Sequence, residues 1–557
     1  MTPLSAGHLI VRQLEAHGVP RVYTVPGESF LDVLDGLYDS PIETVVCRHE
    51  GGAGFMALAE SRLTGTPGIA MVTRGPGAAN AMIAVHTAWQ DATALVLFVG
   101  LVPVADRGRN AFQEFSLEGW FSSTAKRVLI LDDARRAAEV VEEAVRIAAS
   151  GRPGPVVVGL PEDVLVRAGG GEPLQPRKSP AAVPGTNAME ELTARLAAAA
   201  RPLMVVGGDG WTAADSAALA DWAAAANLPA AADWRAYDAV PHQSPAFAGW
   251  LGYGHAETLA ARLGEADLLV FVGCARTDVA SEGYTRGLNT ETVLVLADPD
   301  ASGHAGRLDQ HIVVPPASFV AALPDPGAAK GLRGSTWMKE LAADQDRFAA
   351  PAPEPSASAE PNGVDLCAAF ALLEERLPGD RVVTYGAGNA TIWGHRFLSH
   401  SGPGTLVGPR NGAMGLAVPA AVAASLIHPG RCVTAVCGDG DFLMNAQELA
   451  VAAAHGSAPL IIVVDNGIYG TIVAHQRQQY PHRPSGTDIP NPDFAGWISN
   501  FGGHGERVEN TREFGPALER ALGSGRLALL HLLVDPELMP PDASNNEAHP
   551  VLAGDAA

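Results

Sequence analysis

Short runs of Val, Ile and Leu recur along the whole chain. They are Val22–Val25, Ile69–Thr73, Leu95–Val99, Val128–Leu131 and Val156–Val158, then Met204–Val206, Leu268–Val272 and Val293–Leu296, then Val382–Thr384, Val433–Val436, Leu460–Val464 and Leu529–Val534. Apolar side chains stand at consecutive positions rather than alternate ones, so both faces of each run must be covered, as in strands inside a parallel sheet. Between them, Arg135–Ser150, Met189–Ala199 and Val364–Arg376 carry apolar residues at helical spacing. Strand and helix alternating from end to end predict doubly wound α/β domains built on parallel sheets. Ser5–Gly18, with Leu9, Ile10 and Leu14 among polar residues, reads as an amphipathic helix and not as a secretion signal with an unbroken apolar core. The longest apolar stretches, Ala92–Ala105 and Ala413–Ile427, fall short of the ~20 residues of a membrane helix and are interrupted by Gly or Pro.

Two segments break the alternation. Arg167–Asn187 is rich in Gly and Pro, and Ala349–Asn362 (AAPAPEPSASAEPN) has the composition of an extended linker. They divide the 557 residues into three α/β domains, 1–170, 186–348 and 362–540. The tail beyond Pro536 is expected to wrap over the surface or fray.

Composition narrows the partners. Hydrophobic residues make up 47% and charged residues 18%, enough apolar content for large buried cores. With 38 Lys and Arg against 61 Asp and Glu, the net charge is −23, which disfavours nucleic acid and anionic membrane surfaces. The five cysteines (Cys47, Cys274, Cys367, Cys432 and Cys437) are scattered, with no C-x-x-C pair. That pattern points to a reducing, cytoplasmic setting rather than to a disulfide framework or a zinc ribbon.

The chemistry is most legible in the last third. Gly438-Asp439-Gly440 follows the strand Val433–Val436 directly; then come 25 residues holding a helix and a second strand, and then Asn466. Neighbouring parallel strands end on the same sheet edge, where open α/β folds bind ligands. Asp439 and Asn466 are therefore expected to converge on one hard cation, with the backbone carbonyl of Ile468 as a third oxygen donor, a set that suits Mg²⁺ and phosphate. Gly438 and Gly440 let the backbone approach those phosphates, and the helix that follows offers free N–H groups. A second copy, Gly208-Asp209-Gly210, has Ala236 where the pattern needs Asn, and reads as a plain loop.

On these residues the chain resembles the thiamine diphosphate enzymes of the acetolactate synthase, benzoylformate decarboxylase and pyruvate oxidase superfamily. Further landmarks occur in that family's order: Val25-Pro26-Gly27, Arg48-His49-Glu50, Arg74-Gly75-Pro76-Gly77-Ala78-Ala79-Asn80, Ala111-Phe112-Gln113-Glu114, Gly386-Ala387-Gly388-Asn389 and Gly412-Ala413-Met414-Gly415. The resemblance implies a pyrimidine-binding, a central and a diphosphate-binding domain. It makes Glu50 the catalytic carboxylate that hydrogen-bonds the aminopyrimidine and favours its 4′-imino tautomer. It puts Gly412 and Met414 at the pyrimidine, with Met414 as the wedge that bends the cofactor. Gly388, Asn389 and Ala390 fall at the diphosphate, with Gly438, Asp439, Gly440, Asp441, Asn466, Ile468 and Tyr469 around the metal and phosphates. Asp441 replaces the usual hydroxyl residue, either to cap the helix or to hold a metal-bound water. A homodimer or homotetramer is implied, since the family builds each site from two subunits.

For the substrate, the resemblance implies a 2-oxo acid that loses CO₂, with an aldehyde or a second oxo acid as acceptor. Phe112-Gln113-Glu114 matches acetolactate synthase, with Gln113 orienting an acceptor and Lys126, thirteen positions on, a carboxylate. The biosynthetic synthase has a Trp nine residues past the metal Asn; here His475 stands there, a residue type suited to relaying protons. Glu28 sits where pyruvate decarboxylases carry an acidic group, to handle protons or to cap the helix near Phe30. His86 reads as structural. Phe247–His255 and Arg276–Asp278 fall where the synthase contacts its flavin, so the central domain is open to FAD, to an ADP or CoA ligand, or to none. The leading expectation is decarboxylation with carboligation. The alternatives are non-oxidative decarboxylation of a bulkier, aromatic 2-oxo acid, and a partner subunit that binds cofactor without chemistry.

Overall fold

The computed structural model describes residues 4–177, 179–208, 210–328, 335–351 and 363–538. Asp209, most of the Pro/Ala/Ser linker and the tail from 539 lie outside the described residues.

Three six-stranded sheets run along the chain, and every strand pair in them is parallel. The first contains β1 (Arg21–Thr24), β2 (Glu43–Val46), β3 (Gly68–Val72), β4 (Leu95–Leu101), β5 (Arg127–Ile130) and β6 (Pro155–Pro161), in the order β2-β1-β3-β4-β6-β5. The second contains β7 (Pro202–Val206), β8 (Ala230–Ala232), β9 (Phe247–Trp250), β10 (Leu268–Val272), β11 (Glu291–Val295) and β12 (Gln310–Ile312), in the order β12-β11-β10-β7-β8-β9. The third contains β13 (Val382–Tyr385), β14 (Leu406–Val407), β15 (Val433–Gly438), β16 (Leu460–Asp465), β17 (His504–Val508) and β18 (Ala528–Leu533), in the order β14-β13-β15-β16-β18-β17. The chain is thus three α/β domains, and the first and third sheets share one topology. In each of these two, the connections leave in opposite directions from an adjacent strand pair, β1/β3 and β13/β15. Such a switch point opens a crevice at the carboxyl ends of the strands.

The inner strands are the runs foreseen from hydrophobicity, except β8, whose three alanines were not, and β3, β4, β6, β7, β10 and β16 are buried at every residue. The strands with weak sequence signals are mainly edges: β2, β9, β12, β14 and β17. The first helix runs Ala6–Ala16, with the Ser5 hydroxyl accepting the His8 amide at 3.2 Å. Asp365 caps the helix Leu366–Arg376 through the amides of Cys367 and Ala368. All five cysteines are free, and no helix among the described residues is long and apolar enough to cross a membrane.

The chain forms two compact units. One comprises the residues up to Pro180 together with Val418–Pro429 and Asn445–Ser457, so two helical segments of the last third pack with the first sheet; Arg21 donates to the Leu426 carbonyl at 3.0 Å. The other holds the second and third sheets, joined by one apolar core that runs from Met204, Val206 and Val270 to Val383, Val436 and Ile462.

Candidate active site

Register places the key side chains. β15 pairs with β16 so that Gly438 lies opposite Val464, which sets Asp439 beside Asp465 and Asn466 at the carboxyl edge. The Gly467 amide donates to Asp439 Oδ2 at 3.0 Å and to Asp465 Oδ1 at 2.9 Å, tying the two strand ends together. Asn491 Nδ2 bridges the same carboxylates, 2.7 Å from Asp439 Oδ2 and 2.9 Å from Asp465 Oδ1. His531 Nε2 stands 2.7 Å from Asp465 Oδ2. Burial and then the Asp465 carboxylate beside it push Asp439 well above the usual carboxylate range. Burial would also raise Asp465, but its hydrogen bonds to His531, Asp439 and Asn491 lower it. Two buried carboxylates with oxygen donors around them form a site that fits a hard divalent cation, because its charge offsets the repulsion. Asn466 Oδ1 accepts the Ile468 amide at 3.2 Å, and the Ile468 carbonyl accepts the Gly470 amide at 2.9 Å, which leaves each oxygen a free lone pair.

All twelve residues singled out for the cofactor line one cavity of about 290 Å³: Gly388, Asn389, Ala390, Gly412, Met414, Gly438, Asp439, Gly440, Asp441, Asn466, Ile468 and Tyr469. Two helix starts open on it, Asn389–Phe397 and Gly470–Gln479, and neither has a side-chain cap; the Gly470 amide is taken by the Ile468 carbonyl, so it is the first turn of Asn389–Phe397 that presents uncapped N–H groups to the cavity. Gly388 (φ 95°) precedes the first of these helices in a conformation that disfavours any side chain. Thr471 Oγ1 donates to Asn389 Oδ1 at 2.9 Å, joining the two helix starts.

Asp441 serves two loop amides rather than capping its own helix. Its Oδ1 accepts from the amides of Gly415 (2.8 Å) and Ala387 (3.1 Å), stapling the turn after β13 to the Gly412–Gly415 turn. A Cβ on Gly386 would stand 1.9 Å from Asp441 Oδ2, so Gly is required there. Burial pushes the Asp441 carboxyl up to about 6, opposed by those two amides and by Arg235. Arg235 reaches from the central domain with its guanidinium on the Gly386 carbonyl and 3.0 Å from Thr391 Oγ1, while lying 4.7 Å from the Trp234 ring. Sequence reading missed Arg235, Asn491, Asp465 and His531, because none lies in a motif and each acts through a fold contact.

In the other unit, Glu50 opens the helix Glu50–Thr64 after β2. Asn80 Nδ2 donates to Glu50 Oε2 at 2.9 Å, and a Cβ on Gly77 would stand 3.2 Å from Glu50 Oε1, so the start of the helix Gly75–Gln90 is shaped around this carboxylate.

Comparison with known proteins decides the family. Residues 4–119 match the family model for the thiamine pyrophosphate enzyme N-terminal TPP binding domain, 189–323 the central domain and 386–532 the C-terminal TPP binding domain. The chain is 31% identical to acetolactate synthase isozyme 2 large subunit of Escherichia coli K12, over 98% of this chain and 99% of that protein. The chain belongs to the thiamine pyrophosphate enzyme family. It is 29% identical to the catabolic acetolactate synthase of Raoultella terrigena (95% of this chain, 94% of that one) and to E. coli isozyme 1 large subunit (98% and 97%). It is a thiamine diphosphate-dependent, acetolactate synthase-like enzyme that acts on a 2-oxo acid by decarboxylation and carboligation, and simple aryl decarboxylation is not favoured.

The remaining expected residues of this thiamine pyrophosphate enzyme are scattered. Gln113 has a left-handed backbone (φ 63°), and its carbonyl accepts the Gly75 amide at 3.2 Å. It lines a second cavity of about 230 Å³ with Arg74, Arg107 and Phe115. Glu28 does not cap the following helix; its carboxylate, largely exposed, takes Arg74 at 3.0 Å, and Arg74 also binds Glu162. Lys126 is turned to the end of the helix Ala137–Ala149, 2.6 Å from the Ile147 carbonyl and 2.5 Å from that of Ser150. His475 is exposed on the helix Gly470–Gln479 and His86 is exposed on the helix Gly75–Gln90. Arg276 is fully buried, bonded to Thr292 Oγ1 and 3.0 Å from the Ala305 carbonyl.

Proposed function

We propose that this enzyme joins two carbonyl compounds, a 2-oxo acid as donor and a second oxo acid or an aldehyde as acceptor, in the manner its acetolactate synthase relatives are named for. The observation that carries the reading is the one cavity lined by all twelve expected cofactor residues, Asp439 and Asn466 among them. Mg²⁺ would be held by Asp439, Asn466 and the Ile468 carbonyl, and the diphosphate by the backbone at Gly388–Ala390 and Gly440. Thiamine diphosphate, when bound, supplies the carbanion chemistry that no side chain provides. Glu50 holds a proton at the aminopyrimidine nitrogen, with Asn80 fixing its carboxylate. Met414 would pack against the bound cofactor, Gln113 would orient the acceptor, and Glu28 and His475 would serve proton transfer.

The assembly we propose is a homodimer or homotetramer in the cytoplasm, with Glu50 of one subunit serving the cofactor of another. The test is a panel of 2-oxo acids, each with and without an acceptor, analysed for CO₂ and products. Carboligation products are expected. Aldehyde as the sole product overturns the reading. Glu50→Gln is expected to keep cofactor affinity and lose nearly all turnover, and activity within a few-fold of wild type removes Glu50 from its role.

A further inference from the structure

The carboxylate behind the catalytic glutamate comes from a distant stretch of chain. Between β2 and the helix Glu50–Thr64 the backbone turns through Cys47, Arg48 and His49, whose amides precede the helix and take no partner from it. Glu448, at the end of the turn Ala446–Glu448 and fully buried, supplies the acceptor: Oε1 lies 2.9 Å from His49 N and 3.1 Å from Arg48 N, and Oε2 lies 3.1 Å from Arg48 N. The packing is specific to it, since a Cβ on Gly52 would fall 2.4 Å from Glu448 Oε1. The helix start is therefore gripped from two sides, its main chain by Glu448 and the Glu50 carboxylate by Asn80.

We propose that Glu448 is a positioning residue for catalysis: its buried carboxylate, seated on the amides of Arg48 and His49, sets the direction in which Glu50 presents its carboxyl group. The inference rests on the reading of Glu50 given above. A carboxylate accepts amide hydrogen bonds more strongly than a neutral acid does, so the grip depends on the ionisation of Glu448. Burial pushes this carboxyl up to about 7, opposed by the Arg48 and His49 amides and the Arg48 cation and reinforced by the charge of Glu50. The titratable side chains that act on it are Cys47, Arg48 and Glu50, His49 contributing its amide, and the Cys47 thiol is itself pushed up, by burial and then by Glu448.

Glu448→Gln keeps the shape and one acceptor oxygen but removes the charge. The expected result is a kcat lower by about 10- to 100-fold, KM and thiamine diphosphate affinity unchanged, and loss of the rise in kcat with pH around neutrality. Stability carries the opposite sign. An acid held above its ordinary value of 4.5 costs stability as pH rises from there to about 7, so Glu448→Gln flattens the fall in melting temperature across that window. Should Glu448→Gln fail to fold, Gly52→Ala pushes on the same carboxylate from the helix side and is expected to lower kcat with the same KM pattern. Wild-type kcat and pH profile in Glu448→Gln, with Glu50→Gln inactive, overturns the proposal and leaves the Glu50 reading intact. If Glu50→Gln is itself active, it is the Glu50 reading that fails.

Discussion

Asp441 Oδ1 lies 2.8 Å from the amide nitrogen of Gly415, and that one oxygen also takes the Ala387 amide. Two loops that line the cofactor cavity, one after β13 and one before the helix Ala417–Ile427, are thereby fixed to a single carboxylate. The sequence offered Asp441 as a helix cap or as the holder of a metal-bound water; in the fold it accepts two loop amides.

From this relationship, Asp441→Ala should weaken thiamine diphosphate binding by about 10- to 100-fold, the usual cost of losing a group that orients ligand-binding atoms. Asp441→Asn keeps an oxygen acceptor and should stay within a few-fold of wild type. Calorimetric titration of the cofactor at saturating Mg²⁺ measures both. Equal affinity in Asp441→Ala would show that the loops hold their geometry without the staple.

Asn491 shares its amide between Asp439 and Asp465, and His531 anchors the far side of Asp465. Removing the bridge leaves two buried carboxylates facing each other with less support. Asn491→Ala is expected to lower Mg²⁺ affinity by about tenfold or more, and Asn491→Asp, which adds a third carboxylate, to make cofactor-free protein less stable. Metal titrations followed by tryptophan fluorescence, with melting curves with and without Mg²⁺, read the two effects. Unchanged Mg²⁺ affinity in Asn491→Ala would remove this residue from the metal site.

Arg235 is 2% exposed, with a left-handed backbone (φ 53°) and its guanidinium shared between the Gly386 carbonyl and Thr391. Lysine lacks the planar fork that serves two acceptors at once. Arg235→Lys and Arg235→Met should both lower the melting temperature, by roughly 5 °C or more, and both should weaken cofactor binding, with Met the more severe. A melting temperature within a degree of wild type in Arg235→Met would show that the central domain does not support the phosphate turn through this side chain.

Much of this enzyme was legible in the chain. Consecutive Val, Ile and Leu mark β3, β4, β10 and β16 because a strand buried on both faces tolerates nothing else. The edge strands were harder to see. β17, HGERV, buries a single residue, and β14 is two residues long, so neither needs a hydrophobic signature. Lys126 shows the limit at the level of one side chain, since its place thirteen positions after Gln113 suggested a role in orienting a carboxylate and the fold gives it helix-end carbonyls.

The sequence alone determined the alternation of strands and helices, the three-domain division, and the Asp439–Asn466 pair, because local spacing along two adjacent parallel strands dictates which residues reach the shared edge. Only the tertiary structure decided that Glu448 lies under the Glu50 helix, that Asn491 bridges Asp439 and Asp465 with His531 anchoring Asp465, and that Arg235 crosses to the Gly386 turn. The physical reason is distance along the chain. Hydrogen bonds between residues some 50 to 400 positions apart leave no periodicity in the sequence, and they form only when packing of apolar surface has already brought the backbones together.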